Sequence, residues 1–404
     1  MKAYIGREME TALLALSDKM PAILVCGPRQ VGKTTLLLNL AESNRQYLSF
    51  DDISLRDMAR KDPALFIKQF EPPLILDEIQ YVPELLPYLK SEIDRLGSNG
   101  LYWLTGSQHF HLMKNVSESL AGRVALFSLL GFSHRELTKT TTGNSPFIPH
   151  EELLQMSVGC HPSEIFAQIF RGSMPLPNVQ QDIPLEVFFN SYLQTYLLRD
   201  LRDLSQVADL NKFTRFIRVC AGRTGQLLNY NDLARDTDVS PQTAKNWLSI
   251  LEASFIVHLV PPYHNNITKR LIKTPKLYFT DTGFCAFLTS WTSPETLMHG
   301  AMSGAIFETW VVGEILKSYW NKGRMAPMFF YRDKDGNEID LLMVKDNQLY
   351  PVEIKTAATI RRDWGKSFKQ LDKFGQTGLG AVICLTDKPL YINPSAIAIP
   401  ACGI

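Results

Sequence analysis

Residues 27–34 form a glycine-bounded segment, GPRQVGKT, that matches the spacing G-x-x-x-x-G-K-[ST] at every fixed position. The segment follows an apolar strand pattern and precedes a helical pattern at residues 35–41. In that context the loop N–H groups point at phosphate oxygens, and the start of the helix favours negative charge. We therefore expect Lys33 to reach the β- and γ-phosphates of a nucleotide and the Thr34 hydroxyl to bind Mg²⁺.

An acidic pair closes the apolar run PLILDE at residues 73–78. Three apolar residues place Asp77 at the carboxyl end of a buried strand beside the loop, where its carboxylate can bind Mg²⁺ through water. Glu78 is then placed to act as the general base for the attacking water. The loop and the acidic pair, in this order, predict that the chain binds ATP with Mg²⁺ and hydrolyses it.

Two further polar residues are candidates for the same site. Ser107 ends the next strand pattern, where related ATPases place a residue that senses the γ-phosphate. Thr105 is the second candidate for this role, and a plain turn is the alternative. Arg123 could stabilise transition-state charge within its own molecule or in a neighbour, and an ordinary surface arginine is the alternative. The residues expected around ATP are Gly27, Pro28, Arg29, Gln30, Val31, Gly32, Lys33, Thr34, Thr35, Asp77, Ser107 and Arg123.

A second group of ionisable residues lies near the C-terminal end. A hairpin between two strand patterns brings Asp340 beside Glu353, and the alternation of side chains puts Glu353 and Lys355 on one face. Paired carboxylates offer the hard oxygen ligands that Mg²⁺ prefers, and Lys355 can orient or deprotonate a metal-bound water. Glu308, on a helical pattern over Ser303–Trp320, is expected to join the metal shell. This ordered set resembles the pattern of PD-(D/E)xK nucleases.

A helix-turn-helix is predicted between these two groups. A short helical pattern at residues 231–237 is followed by Ser240, a favourable N-cap, and by Pro241 at the first position of a second helix. The exposed face of that helix carries polar and cationic side chains, and a run resembling a basic wing comes next. A protein-contact or lid module is the alternative. The residues expected to contact DNA are Gln242, Lys245, Asn246, Lys269, Arg270 and Lys273.

Alternating strand and helix patterns in the first part of the chain predict an α/β layer on a parallel sheet. We place an ATPase domain at 1–140, a helical lid or linker at 150–205, a winged helix-turn-helix at 206–290 and a nuclease-like domain at 296–404. The 404 residues have a net charge of +1, which excludes a polycation that coats nucleic acid.

The cysteines and the apolar runs bear on the compartment. Six scattered cysteines without a C-x-x-C pair fit neither a zinc site nor a dense disulfide framework, and they favour a reducing compartment. No apolar run approaches the roughly 20 residues that span a bilayer. We therefore expect a cytoplasmic protein without a membrane partner.

Seven stretches of the chain resemble one family of bacterial and archaeal ATPases, which joins an AAA-type domain to a C-terminal domain of unknown function. These stretches are residues 27–35, 76–80, 104–107, 195–201, 223–230, 276–283 and 352–355. The resemblance implies an α/β fold with a P-loop AAA-type parallel-sheet domain, a helical lid, a winged-helix segment and a restriction-endonuclease-like α/β domain. The chain departs from the family at residues 171–175, where a glycine-rich, aromatic turn is common.

These features favour an ATP-regulated protein of DNA processing or defence, whose C-terminal module binds DNA and cleaves it with Mg²⁺. One rival is a signalling or scaffolding switch that binds a protein partner and has a catalytically silent nuclease-like domain. Another is an ATP-driven regulator that binds DNA without cutting it. AAA-type sites often take an arginine from a neighbour, so a homo-oligomer is also an expectation.

Overall fold

The computed structural model describes residues 4–107, 119–140, 145–156, 159, 161–197, 209–264, 274–333 and 335–404. These residues contain a five-stranded, a three-stranded and a six-stranded sheet, each in its own stretch of the chain. Along the sequence, helices alternate with the strands of the first sheet, and further helices lie between the segments that form the three sheets. The architecture is therefore α/β, with a parallel-sheet domain first and a second sheet domain at the C-terminal end.

The first sheet has the order β2-β3-β4-β1-β5, and its paired strands are all parallel. Its strands are Ala22–Cys26 (β1), Gln46–Ser49 (β2), Leu74–Asp77 (β3), Tyr102–Gly106 (β4) and Val124–Ser128 (β5). The accompanying helices are Glu10–Ser17 (α1), Lys33–Leu40 (α2), Ile53–Lys61 (α3), Pro63–Gln69 (α4), Leu86–Leu96 (α5) and His134–Thr138 (α6). Parallel strands end at the same edge, so the loop after β1 and Asp77 at the end of β3 meet there.

Helices and a small sheet make up the middle of the chain. The helices are Pro162–Arg171 (α7), Pro175–Val179 (α8), Leu185–Tyr192 (α9), Leu210–Ala221 (α10), Tyr230–Thr237 (α11) and Pro241–Ala253 (α12). The antiparallel strands, in the order β6-β8-β7, are Gln226–Leu227 (β6), Val257–Val260 (β7) and Lys276–Phe279 (β8). Helices Thr282–Leu288 (α13) and Pro294–His299 (α14) come next. Helices α11 and α12 cover the two helical patterns expected from the sequence, and the Ser240 hydroxyl caps α12 by accepting from the Thr243 N–H.

The last domain begins with the long helix Ser303–Trp320 (α15), which is buried around most of its circumference. Its sheet has the order β13-β14-β12-β11-β10-β9. The strands are Met328–Arg332 (β9), Glu338–Lys345 (β10), Gln348–Lys355 (β11), Gly380–Cys384 (β12), Leu390–Asn393 (β13) and Ala396–Pro400 (β14). Strands β9, β10 and β11 are antiparallel, whereas β11, β12 and β14 run parallel.

Four cysteines, Cys26, Cys220, Cys285 and Cys384, are free and buried. Cys402 is disulfide-bonded, which departs from the expectation of reduced thiols throughout. Across the part of the chain that the structure describes, no helix combines the length and the apolar character needed to cross a bilayer.

Candidate functional site

The phosphate-binding loop owes its shape to two glycines with positive φ. Gly27 has φ 156°, and a Cβ there would lie 2.0 Å from the carbonyl oxygen of Leu129, so a side chain does not fit. Gly32, with φ 92°, immediately precedes α2. The ammonium of Lys33 is buried and donates to the carbonyl oxygens of Gly27 at 3.0 Å and Pro28 at 2.9 Å. Burial lowers the pKa of Lys33, and the carboxylate of Glu78 opposes that shift.

Asp77 is buried at the end of β3, and its carboxylate accepts hydrogen bonds from three hydroxyl groups. The Thr34 hydroxyl donates to Oδ1 at 2.8 Å, the Thr105 hydroxyl to Oδ1 at 2.5 Å and the Tyr47 phenol to Oδ2 at 2.9 Å. A hydroxyl and a carboxylate in contact are the hard oxygen donors that Mg²⁺ prefers, so Thr34 and Asp77 fit an Mg²⁺–ATP complex. The contribution of Tyr47 was not predicted, because only the pairing of β2 with β3 brings it here.

Glu78 has a left-handed backbone, with φ 59° and ψ 46°, which turns its side chain into the site. Its N–H donates to the Thr105 hydroxyl at 2.9 Å. The hydroxyl of Ser107 donates to both carboxylate oxygens, at 3.1 Å and 3.0 Å, and the Gln80 amide donates to Oε2. Ser107 therefore lies at the expected strand end, and its partner in this structure is the carboxylate proposed as the general base.

A cavity of about 450 Å³ opens over the loop. The residues that line it are Tyr4, Ile5, Arg7, Gln30, Val31, Gly32, Lys33, Thr34, Thr35, Glu78, Phe132, Pro175, Leu176 and Val179. One end is polar and belongs to the loop, and the other is an apolar wall, as a nucleotide with a flat base requires. The wall residues were not predicted, because they come from the N-terminal segment, the turn after β5 and helix α8.

Arg7 fastens the N-terminal segment to this cavity. Its guanidinium is buried, pairs with Glu136 at 3.0 Å and donates to the carbonyl oxygens of Val31 at 3.0 Å and Leu130 at 2.7 Å. It also lies over the ring of Phe132, 4.7 Å from the ring centroid. Arg7 thus connects the phosphate-binding loop to the apolar wall, a role that no local sequence signal indicated.

Arg123 lies at the opposite edge of the sheet. Its carbonyl oxygen accepts from the N–H of Ala22, at the first residue of β1, and its guanidinium pairs with Asp94 at 2.6 Å. The length of β5, about 16 Å, separates it from the edge that carries the loop. The expectation that Arg123 reaches a nucleotide held by its own chain is therefore wrong, because this residue precedes the strand whereas the site lies beyond its other end.

The turn before α8 is attached to the middle of the chain through Asp281. The N–H and the hydroxyl of Ser173 donate to Asp281 Oδ2 at 2.7 Å and 2.8 Å. The Ser173 carbonyl oxygen accepts from the N–H of Phe132 at 2.7 Å. At Gly172, φ is 78° and a Cβ would lie 2.5 Å from Asp281 Oδ1, so the turn requires glycine.

Helix α15 contacts the same wall through a buried ion pair. Lys317 Nζ lies 2.6 Å from Glu314 Oε1, and the two side chains are 4% and 2% exposed. Lys317 also donates to the carbonyl oxygen of Phe132 at 2.9 Å, and Glu314 Oε2 accepts from the N–H of His134 at 2.9 Å. The C-terminal domain thus directly holds backbone that borders the cavity.

The C-terminal group comes together partly as expected. Leu341 pairs with Val352 across β10 and β11, which places Asp340 beside Glu353. Lys355 Nζ lies 3.6 Å from Asp340 Oδ2 and 3.4 Å from Glu353 Oε2. Burial opposes the charged form of Lys355, but these two carboxylates outweigh burial, so the pKa of Lys355 is raised.

Glu308 has partners that the sequence did not predict. Its Oε1 accepts from Lys276 Nζ at 3.2 Å and from the Tyr278 phenol at 2.6 Å, both from β8. Burial, together with the smaller effect of the Asp340 charge, raises the pKa of Glu308. Among the described residues, no group of three or more His, Cys, Asp or Glu side chains is arranged to hold a metal ion. The expected metal shell of Glu308, Asp340 and Glu353 is therefore not assembled, because Lys276 pairs with Glu308 and Lys355 pairs with both Asp340 and Glu353.

Helix α12 exposes the three polar residues that the sequence indicated. Gln242, Lys245 and Asn246 are exposed on α12, and the Gln242 amide donates to Asn246 Oδ1 at 2.8 Å. Trp247 and Leu248 are buried on the opposite face. The other three residues expected to contact DNA lie outside the described residues: Lys269, Arg270 and Lys273.

Three family models match parts of this chain. They are an AAA domain at residues 19–138, a domain of unknown function (DUF8612) at 163–295 and another (DUF4143) at 303–402. An uncharacterized protein of Mycobacterium tuberculosis is 27% identical over 398 residues, which cover 98% of this chain and 83% of that protein. An uncharacterized protein of Methanocaldococcus jannaschii is 27% identical over 297 residues, 65% of this chain and 61% of that protein.

Solved structures also match this chain. The RuvB Holliday junction branch migration motor of Thermotoga maritima has a TM-score of 0.31 and 18% identity, covering 64% of this chain and 90% of that one. A signal transduction ATPase with a tetratricopeptide repeat sensor from Pyrococcus horikoshii has a TM-score of 0.26 and 12% identity. The match covers 79% of this chain and 47% of that one. The family match, over the stretch that carries the phosphate-binding loop and Asp77, shows that the chain contains an AAA-type ATPase domain.

Proposed function

We propose that this chain is an ATP-hydrolysing switch whose nucleotide state is transmitted to its C-terminal domain. The observation that carries the proposal is the convergence of Lys33, Thr34 and Glu78 on one cavity of about 450 Å³, with Asp77 in contact with Thr34. A loop that offers N–H groups, a lysine and a hydroxyl–carboxylate pair is suited to a triphosphate with its magnesium ion.

Each residue has a separate task in this proposal. The loop N–H groups and Lys33 bind the phosphates, and Thr34 with Asp77 holds Mg²⁺, which neutralises charge on the phosphate oxygens. Glu78 accepts the proton of the attacking water. The hydrogen bonds from Ser107 and Gln80 fix the direction of the Glu78 carboxylate, and general base catalysis of this kind contributes about 10²–10⁴-fold in rate.

The test measures ATP binding and turnover separately. Lys33→Ala should lose both, because it removes the cation that contacts the phosphates. Glu78→Gln should keep ATP binding and lose about 10²–10⁴-fold in turnover, because the amide cannot accept the proton. Lys90→Ala, an exposed position on α5, is the matched control and should resemble the wild type. Turnover that survives Lys33→Ala would refute the proposed site.

Helix α15 supports the second half of the proposal. Lys317 contacts the wall of the nucleotide cavity, and Glu308 lies in the C-terminal group. The two positions are nine residues apart, which is two and a half helical turns, so they lie on opposite sides of α15 about 13 Å apart along its axis. Helix α15 thus contacts both the wall of the nucleotide cavity and the C-terminal group. A displacement of the wall when ATP binds would therefore move Glu308 as well.

DNA is the ligand that we propose for the middle and C-terminal regions, as a second candidate function. It is supported by the exposed polar face of α12 and by the grouping of Asp340 with Lys355. A DNA complex should weaken steeply as salt rises, because cations on the protein displace counterions from the phosphates. Lys245→Ala should weaken the complex and flatten that salt dependence.

Nicking of supercoiled DNA in Mg²⁺ or Mn²⁺, lost in Asp340→Ala and Lys355→Ala, would establish cleavage. Salt-sensitive binding without nicking would favour a regulator that binds DNA and does not cut it. Intact ATP turnover without any DNA complex would favour the switch that binds a protein partner.

A further inference from the structure

The C-terminal carboxylates take their counter-charges from within the chain. Lys276, at the start of β8, is 3% exposed. Its Nζ lies 2.5 Å from Glu338 Oε1 and 3.2 Å from Glu308 Oε1. Tyr278, two residues further along the strand, donates to the same Glu308 oxygen at 2.6 Å. A cation from the middle of the chain is therefore inserted between two carboxylates of the C-terminal domain.

The Lys276 ammonium lies among carboxylates of the C-terminal domain that a metal ion could otherwise bridge. Lys355 bridges Asp340 and Glu353 in the same manner as Lys276 bridges its own pair. An ion that links carboxylates from a helix and a strand would need the place that the Lys276 ammonium has now. Arg332 Nη1 also lies 3.7 Å from Glu338 Oε2, so four carboxylates face three cations and retain an excess of negative charge. A divalent cation in the place of the Lys276 ammonium would compensate more of this charge than a lysine does.

We propose that Lys276 is a built-in cation that keeps divalent metal ions out of the C-terminal site. Without the Lys276 ammonium, the carboxylates of Glu308 and Glu338, which it now bridges, would bind Mg²⁺ or Mn²⁺. The inference does not depend on ATP turnover, since neither side chain belongs to the nucleotide cavity. It explains why residues in the order of a metal-dependent nuclease do not form a metal shell among the residues that the structure describes.

A purely structural ion pair would also place Lys276 here, and the two explanations predict different effects of removing it. If Lys276 only supports the fold, Lys276→Met lowers stability and creates no metal site. If it takes the place of a metal ion, Lys276→Met leaves Glu308 without a cation and Glu338 with Arg332 alone. The two carboxylates then gain affinity for a divalent cation, because a negative charge that lacks compensation in a partly buried site is costly.

The experiment titrates Mn²⁺ into the nucleotide-free full chain by calorimetry. All variants carry Asp77→Asn, which suppresses metal binding at the nucleotide site. Lys276→Met should bind about one additional Mn²⁺ per chain, roughly tenfold or more tighter than any binding outside the nucleotide site of the parent. Lys276→Arg, which keeps the positive charge, should gain nothing. Lys276→Met with Glu308→Gln should lose the gain. Circular dichroism checks that each variant is folded.

A folded Lys276→Met chain that binds no more Mn²⁺ than the parent would overturn the proposal. A second comparison needs no change at Lys276. Glu308→Gln alone should leave Mn²⁺ binding as it is in the parent, because Lys276 already excludes the ion. A loss of bound Mn²⁺ in Glu308→Gln would show that Glu308 binds metal beside Lys276, and would also overturn the proposal. Failure of the ATPase proposal would be seen separately, in the turnover of Lys33→Ala.

Discussion

The ion pair of α15 permits a quantitative test of the contact between the two ends of the chain. Lys317→Met removes an ammonium from a site where both partners are almost fully buried, at 4% and 2% exposed. Glu314 then keeps the N–H of His134 but loses its counter-charge, and the carbonyl oxygen of Phe132 loses its donor. Breaking a buried pair by removing one partner costs about 3–5 kcal/mol, because a charge is left without compensation.

The double variant Glu314→Gln with Lys317→Met separates the charge from the packing. The glutamine keeps an oxygen that can accept from His134, so the double variant should lose only about 1–2 kcal/mol, the net value of the hydrogen bonds that remain unmade. Urea unfolding followed by tryptophan fluorescence measures the free energy of unfolding of each variant. Titration with a fluorescent ATP analogue measures the affinity of the cavity for ATP. ATP affinity should fall with Lys317→Met and recover in part in the double variant.

A double variant as unstable as Lys317→Met would refute this reasoning, because it would show that unpaired charge is not the cause. Unchanged ATP affinity in a folded, destabilised Lys317→Met chain would show that the ion pair does not support the cavity wall.

Local geometry gives three further predictions. Gly172→Ala should cost about 1–3 kcal/mol and weaken ATP binding, since φ is positive and the new Cβ would meet Asp281; thermal unfolding and nucleotide titration check this. Arg123→Ala should leave turnover unchanged at low protein concentration, because Arg123 pairs with Asp94 away from the cavity; a fall that appears only at high concentration would indicate contact with a second chain. Burial lowers the pKa of His258 to about 4, below the unfolded value near 6.5, so its neutral form stabilises the fold above about pH 6.5. That contribution, about 1–2 kcal/mol, should be lost as the pH falls from 7 to 5 and should be absent in His258→Gln, as measured by thermal unfolding at each pH.

Local signals predicted the strand and the helix on either side of the phosphate-binding loop, and they also predicted helices further along the chain. The helix over Ser303–Trp320 has the expected bounds, and α12 begins at Pro241 as its cap indicated. The positive φ of Phe255, 58°, is one feature that no apolar run displays, and strand β7 begins only after it, at Val257. Apolar runs, caps and glycines act over a few residues, and the sequence displays them directly.

The partners of the charged residues were beyond such signals. Lys276 meets Glu308, 32 positions further along, and Glu314 meets His134, 180 positions earlier. These contacts depend on how the sheets and α15 pack, which no spacing rule encodes. A spacing of three residues places Glu314 and Lys317 on one helix face, but the pair's contact with the cavity wall is a property of the tertiary structure.

The attachment of Phe132 and His134 to α15 bears on how the protein is made. The ribosome releases the phosphate-binding loop long before residue 317, so a nascent chain carries the loop while the cavity wall still lacks its ion-paired support. Completion of the wall therefore comes late in synthesis. The same dependence constrains evolution: an exchange of the C-terminal domain between relatives must preserve this helix, or the ATPase domain loses part of its own binding site.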